Sequence, residues 1–186
     1  QKTPEYETLF DYSAEGGILR LAEKCNGSGD CRKLAFTGGT MCPSYMATRN
    51  ERDSTRARAN ALRELLTRSD RPNPFDAREL DEVMDLCLSC KGCTSECPSN
   101  VDVATLKAEY LYQKYKTSKV PLRSRAFANI ASLNGLAIRV APLSNFMLTN
   151  NFTSGLAKRI LGIAQQRSLP AVHRISLRRW FKRYGR

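Results

Sequence analysis

An all-α fold is what the sequence predicts, and three observations carry the prediction. Apolar residues recur at helical spacing along much of the 186-residue chain, period-two alternation is almost absent, and Gly, Pro and Asn interrupt the periodic stretches at short intervals. The 44 residues separating Cys42 from Cys87 weigh most, because they hold two helical patterns and no hairpin signal.

The first clear helix runs from Ser54 to Thr67. Ala57, Ala61, Leu62, Leu65 and Leu66 share helical spacing, Arg56 and Arg63 fall elsewhere on the surface, and Asp53-Ser54-Thr55 supplies N-cap candidates. Ser69 to Pro74 ends it as a loop. Asn73-Pro74 then reads as a cap and a first-turn proline, opening an acidic helix over about Phe75 to Leu86 with Leu80, Val83, Met84 and Leu86 toward a core. That helix delivers the chain to Cys87. After Pro98, Asp102 to Lys116 sets Val103, Leu106 and Tyr110 beside Ala104, Ala108, Leu111 and Tyr115 in a wide apolar stripe, the strongest helical pattern present. Shorter helices are expected over Arg123 to Leu133, Leu156 to Ala164 and Ala171 to about Phe181, broken by Asn134-Gly135, Pro142 and Pro170.

A membrane-spanning helix is not expected. The longest uncharged stretch, Val140 to Ala157, contains Pro142, Asn145, Asn150 and Asn151, whereas a span needs roughly 20 predominantly apolar residues. Gln1 to Phe10 has neither the basic start nor the apolar core of a signal peptide, so the chain reads as an excerpt of something longer.

Lys and Arg number 30 against 18 Asp and Glu, a formal net charge of +12, and the surplus sits at one end. Residues 1 to 116 hold 17 basic and 18 acidic side chains, while residues 117 to 186 hold 13 basic and none acidic. The cysteines divide the other way: all seven, Cys25, Cys31, Cys42, Cys87, Cys90, Cys93 and Cys97, lie in the first 97 residues. An odd count argues against a closed disulfide framework, and reduced thiols fit a cytosolic setting.

Cys87, Cys90, Cys93 and Cys97 are separated by two, two and three residues and followed by Pro98, the run of two-cluster bacterial ferredoxins. Three thiolates from such a short loop wrap one iron-sulfur cubane, and the fourth, turned away at the proline, reaches a second cluster. Zinc fits poorly, since its sites usually draw two cysteine pairs from well-separated loops. The other three cysteines supply an altered second run: Cys25, Ser28 and Cys31 keep the spacing with Ser in the middle place, and Cys42-Pro43 repeats the ending after ten residues. Crosswise ligation follows. One 4Fe-4S cluster is expected on Cys87, Cys90, Cys93 and Cys42, and the other on Cys25, Cys31 and Cys97, one thiolate short. Ser28, or Asp30 or Asn26, is a candidate for the missing ligand; an open corner with a 3Fe-4S cluster and a labile iron are the alternatives.

Asn26-Gly27-Ser28-Gly29 and Thr37-Gly38-Gly39-Thr40 read as turns, because the strand, helix and Lys-Ser/Thr ending of a phosphate loop are missing. The lone histidine, His173, lies in the basic tail far from any carboxylate pair, so no catalytic residue is assigned.

Cys25-Asn26-Gly27-Ser28-Gly29-Asp30-Cys31-Arg32-Lys33, Gly39-Thr40-Met41-Cys42-Pro43-Ser44-Tyr45, Ser54-Thr55-Arg56, Leu86-Cys87-Leu88-Ser89-Cys90-Lys91 and Val101 to Glu109 resemble the iron-sulfur domain of bacterial FAD-linked oxidases. Those proteins are similar to D-lactate and D-2-hydroxyglutarate dehydrogenases in their flavin half. The resemblance covers about residues 15 to 125, and Arg178-Arg179-Trp180-Phe181 looks like the family's linker before a last domain. It implies an α-helical ferredoxin domain over 15–125, an N-terminal linker over 1–14, and a basic helical extension over 126–186. It further implies a relay role: electrons pass from a reduced flavin acting on a 2-hydroxyacid (D-lactate, glycolate or D-2-hydroxyglutarate) through the clusters to a quinone or protein acceptor. The FAD belongs to a partner oxidase domain outside this segment, and a cysteine-rich domain is expected downstream. Relay subunits of glycerol-3-phosphate dehydrogenase or heterodisulfide-reductase complexes are an alternative of the same kind.

The basic tail reads first as a solvated surface and interdomain linker. Docking of an acidic electron carrier is the next reading. Contact with anionic lipid through Trp180 and Phe181 follows, peripheral at most and at the inner face of a cytoplasmic membrane. A cluster-stabilised nucleic-acid-binding module is the competing function; it lacks an aromatic platform, so sequence-specific nucleic acid binding is not expected.

Overall fold

The computed structural model describes residues 5–185, so the first four residues of the expected 1–14 linker lie outside the described residues. Eleven α-helices and no strand are found among the described residues, an all-α architecture. The chain divides into two compact units, Gln1–Ser118 and Lys119–Arg186.

In the first unit, α1 (Ile18–Glu23), α2 (Pro43–Thr48), α3 (Thr55–Arg68), α4 (Arg78–Met84), α5 (Gly92–Glu96) and α6 (Val103–Thr117) surround one core. α3 is central, packing against α1, α4 and α6. It starts where its cap dictates: Ser54 Oγ accepts the Ala57 N–H at 3.1 Å. Its inner face is Ala59, Leu62 and Leu66, with Arg58 buried among them. Each such leucine stabilises the fold by about 1.5–3 kcal/mol on burial. α6 is capped in the same way by Asp102, whose Oδ1 accepts the Thr105 N–H.

The buried face of α6 is less apolar than its sequence suggests. Val103, Leu106 and Tyr110 are buried as expected, but Ala108 is exposed, and Glu109 and Gln113 take the inner positions. Glu109 accepts the backbone N–H groups of Leu9 and Phe10 and the Gln113 amide, while Tyr6 stacks edge-on against Phe75 with its hydroxyl on the Leu66 carbonyl. These bonds tie residues 6–10 to the core.

Several boundaries differ from expectation. The acidic helix over Phe75 to Leu86 shortens to α4, and Leu86 is 43% exposed beyond its end. Asn73 is not its cap: its Oδ1 accepts the Phe75 N–H in a local turn, and its amide donates to the Gln113 carbonyl and to Thr117. The bonds to α6 outcompete a helical start at Pro74. Lys107 Nζ stops α4 at its other end by donating to the Met84 and Cys87 carbonyls.

The second unit holds α7 (Leu122–Ala128), α8 (Ile130–Arg139), α9 (Ala141–Thr149), α10 (Asn151–Ile160) and α11 (Leu177–Tyr184). The expected Arg123–Leu133 helix divides at Asn129, and α8 runs through Asn134-Gly135 rather than breaking there. Helical glycine costs only about 1 kcal/mol, and no neighbour is needed to absorb it here, since nothing lies within 4 Å of a Cβ at Gly135. Pro142 does mark a boundary, in the first turn of α9. Capped by Asn150, α10 begins at Asn151, five residues before the expected start at Leu156, and α11 begins at Leu177 rather than Ala171. Among the described residues no helix is long and apolar enough to cross a membrane.

Candidate metal centre

The seven cysteines of the first unit sort into two cavities. Cys42, Cys87, Cys90 and Cys93 line one, which is partly open to solvent. Cys25, Cys31 and Cys97 line the other, together with Ser28 and Ser99. Cys42 stands with the loop that follows residue 86, and Cys97 with the loop that follows residue 24, so each cavity takes thiols from both cysteine runs. Thr55 borders both.

Local backbone chemistry turns the thiols inward. Cys42, at φ 58°, is the N-cap residue of α2, and Pro43 occupies the first helical position. Ser89 and Lys91 adopt left-handed φ values of 51° and 61°, which coil Cys87, Cys90 and Cys93 around a common space. A left-handed conformation costs a non-glycine residue roughly 1–2 kcal/mol, and such strain collects where function requires it. Of the five non-glycine residues with positive φ among the described residues, four (Cys42, Ser89, Lys91 and Asn100) are in or beside the cysteine loops. Gly92 allows the close approach of the two loops: a Cβ there would meet Met41 Cα and the Thr40 carbonyl at 3.2 Å.

Glu96 fastens the same junction. Its carboxylate accepts the Thr40 N–H at 2.7 Å, the Thr40 hydroxyl at 2.6 Å and the Met41 N–H at 3.1 Å, and the Thr40 hydroxyl bond leads in holding the carboxyl below its ordinary pKa. Glycine suits position 39, whose φ of 87° L side chains rarely adopt and where a Cβ would sit 2.6 Å from Glu96 Oε2.

Two helix starts point their free N–H groups at the thiols. The Thr55 N–H donates to Cys42 Sγ at 2.9 Å, with the Thr55 hydroxyl 2.7 Å from the same sulfur. The next amide, Arg56 N–H, bonds Cys31. At α6, the Val103 and Ala104 N–H groups bond Cys93. Burial pushes the Cys31, Cys42 and Cys93 thiols up, and these amides offset part of that rise. Helix N-terminal amides favour thiolate, so the sulfurs that burial keeps protonated are those best placed to lose the proton to a metal.

Arg58 is the buried cation of the site. Its Nε donates to the Val83 carbonyl and its Nη2 to Ser44 Oγ, both at 3.0 Å, while Nη1 lies 3.9 Å from Cys42 Sγ. Among the described residues no carboxylate pairs with it. A buried charge needs compensation, and thiolates carrying a metal-sulfide core would supply it. Half-buried Lys107, its pKa lowered by burial, adds a second donor beside Cys87.

The donor set fits iron-sulfur clusters. All seven donors are thiols free of disulfide bonds, and the four-thiol cavity carries a net positive surround. Among the described residues no group of three or more His, Cys, Asp or Glu stands close enough together to hold a single metal ion. The sequence reading missed Arg58, Glu96, Thr55 and Ser99. None carries a spacing signal, although Ser54-Thr55-Arg56 stood among the residues of resemblance.

Residues 24–102 match the family model of the 4Fe-4S dicluster domain. The D-2-hydroxyglutarate dehydrogenase of Escherichia coli (strain K12) is 27% identical over 179 residues, covering 77% of this chain and 17% of that protein. The enzymes of the same name from Pantoea ananatis and Haemophilus influenzae are 27% and 25% identical, with 77% and 76% of this chain covered. The chain thus spans 17% of the length of these relatives. No solved structure matches it. The cysteine runs, the two thiol-lined cavities and the family match point the same way: residues 24–102 are similar to the 4Fe-4S dicluster domain.

Proposed function

We propose that this chain is the electron-relay segment of a flavin-linked oxidoreductase acting on a 2-hydroxyacid, with D-2-hydroxyglutarate the first substrate to test. The observation that carries the reading is the division of seven thiols between two adjacent cavities, four in one and three in the other. Cys42, Cys87, Cys90 and Cys93 hold one cluster, and Cys25, Cys31 and Cys97 the other. When bound, each cluster supplies a one-electron carrier.

The chain's own residues do the rest. Buried Cys31, Cys42 and Cys93, with the core behind them, exclude water on the inner side, while exposed Cys90 leaves the outer side near solvent and a partner. The helix-start amides stabilise negative charge on sulfur, and Arg58 holds a fixed positive charge beside Cys42. No group here binds a hydroxyacid; the flavin, the substrate and the terminal acceptor belong to other parts of the assembly.

The test is anaerobic purification or reconstitution of the chain. Broad visible absorption that bleaches on reduction, with iron and acid-labile sulfide in comparable amounts, supports the relay. Zinc without sulfide overturns it.

A further inference from the structure

We propose that Ser99 completes the three-cysteine cavity as its fourth ligand, donating Oγ to the iron that no thiol reaches. This rests on the cluster reading above. Two observations single out Ser99. Its Oγ is buried and has no hydrogen-bond partner, one of two such side-chain atoms among the described residues. An unsatisfied buried hydroxyl costs about 1–3 kcal/mol, so a partner from outside the polypeptide is called for. Its residue lines the same cavity as Cys25, Cys31 and Cys97.

The backbone explains why Ser99 lies there. Cys97 to Asn100 forms a turn, closed by the Asn100 N–H on the Cys97 carbonyl at 2.9 Å, with Pro98 at its second position. Pro98 sets the direction after Cys97, and the third turn residue is carried back to the cavity lined by Cys97.

The oxygen donors suggested by spacing are engaged elsewhere. Ser28 and Asn26 border the cavity but are exposed, and the Ser28 N–H donates to Asn26 Oδ1 at 3.1 Å. The Ser28 side chain bonds the Asp30 carboxylate, which also pairs with Lys33 at 3.2 Å. On ligation the Oγ–H bond breaks and its proton passes to solvent as the Oγ–Fe bond forms, with no change in oxidation state.

The chain is reconstituted as wild type, Ser99→Ala, Ser99→Cys and Ser28→Ala, and each is measured for iron, sulfide and EPR in the oxidised and reduced states. Ser99→Ala is expected to lose about one iron per chain and to show the oxidised-state signal of a three-iron cluster. Ser99→Cys keeps the wild-type iron count with altered EPR, and Ser28→Ala matches wild type. Ser99→Ala with unchanged iron and EPR overturns the proposal, as does iron loss in Ser28→Ala instead. Unchanged iron with only a shifted midpoint overturns ligation and makes Ser99 a hydrogen-bond donor. If Ser99→Ala does not fold, Ser99→Cys decides, since an unaltered spectrum means position 99 does not reach iron. A wild-type chain without iron and sulfide fails the relay reading itself, a result distinct from a loaded wild type whose Ser99 variants do not respond.

Discussion

Arg58 aims a guanidinium nitrogen at Cys42 Sγ across 3.9 Å from a position only 2% exposed. On the proposed ligation, reduction would add an electron to a cluster held there, and a fixed cation in a poorly polarisable surround favours the more negative state. Arg58→Gln is expected to lower that cluster's midpoint by about 60 mV, a tenfold change in a one-electron equilibrium. Arg58→Lys should keep it near wild type. EPR-monitored redox titration reads both, and equal midpoints in all three proteins would remove Arg58 from the tuning of the site.

Glu96 governs access to Cys42 through Thr40 and Met41. With Glu96→Ala, the bonds from Thr40 and Met41 in the loop before Cys42 disappear. Alkylation of Cys42 in the metal-free chain should accelerate severalfold, while Cys31 keeps its rate. Mass spectrometry of timed samples checks this, with Glu82→Ala, which loses only an exposed pairing with Arg78, as the control.

Glycine is required at position 92 and dispensable at 135. Gly92→Ala drives a methyl group against the Met41 backbone and should destabilise the first unit by about 1–3 kcal/mol, the usual cost of overpacking. Gly135→Ala fills open space in α8 and should gain about 0.5–1 kcal/mol. Thermal melts of the two variants are expected to move in opposite directions.

Asp81 contributes an acid-sensitive share of stability. Burial alone would raise its pKa, but bonds from the Lys114 ammonium and the Tyr110 hydroxyl prevail and hold it below the ordinary 3.8. The unfolded chain therefore takes up this proton at higher pH than the folded one. The contribution is complete above 3.8 and is lost as pH falls through the depressed folded value. Asp81→Asn should flatten the acid limb of a stability-pH profile measured by urea unfolding; an unchanged limb would contradict the assignment.

The parts of the fold legible in the sequence were those with an uninterrupted period and a local cap. α3 and α6 begin within a residue of expectation, because Ser54 and Asp102 cap them by bonds made entirely within their first turns. α4 was misjudged at both ends because Asn73 and Lys107 spend their donors on partners 40 and 23 residues away. α2 and α5, of six and five residues, are too short to show a period. The cysteine spacing anticipated which thiols would share a cavity. It was silent on Arg58, an arginine at a helix position that periodicity assigns no special environment, and on Ser99, whose significance lies in a bond it does not make.

The exchange of Cys42 and Cys97 between the two loops denies the domain any modularity. A fragment spanning only the second cysteine run would carry three of the four thiols of one cavity and a single thiol of the other, and the first run alone would be no better supplied. Neither stretch can be excised as a miniature, so engineered transplants must move the whole span from Cys25 to the start of α6 as one piece.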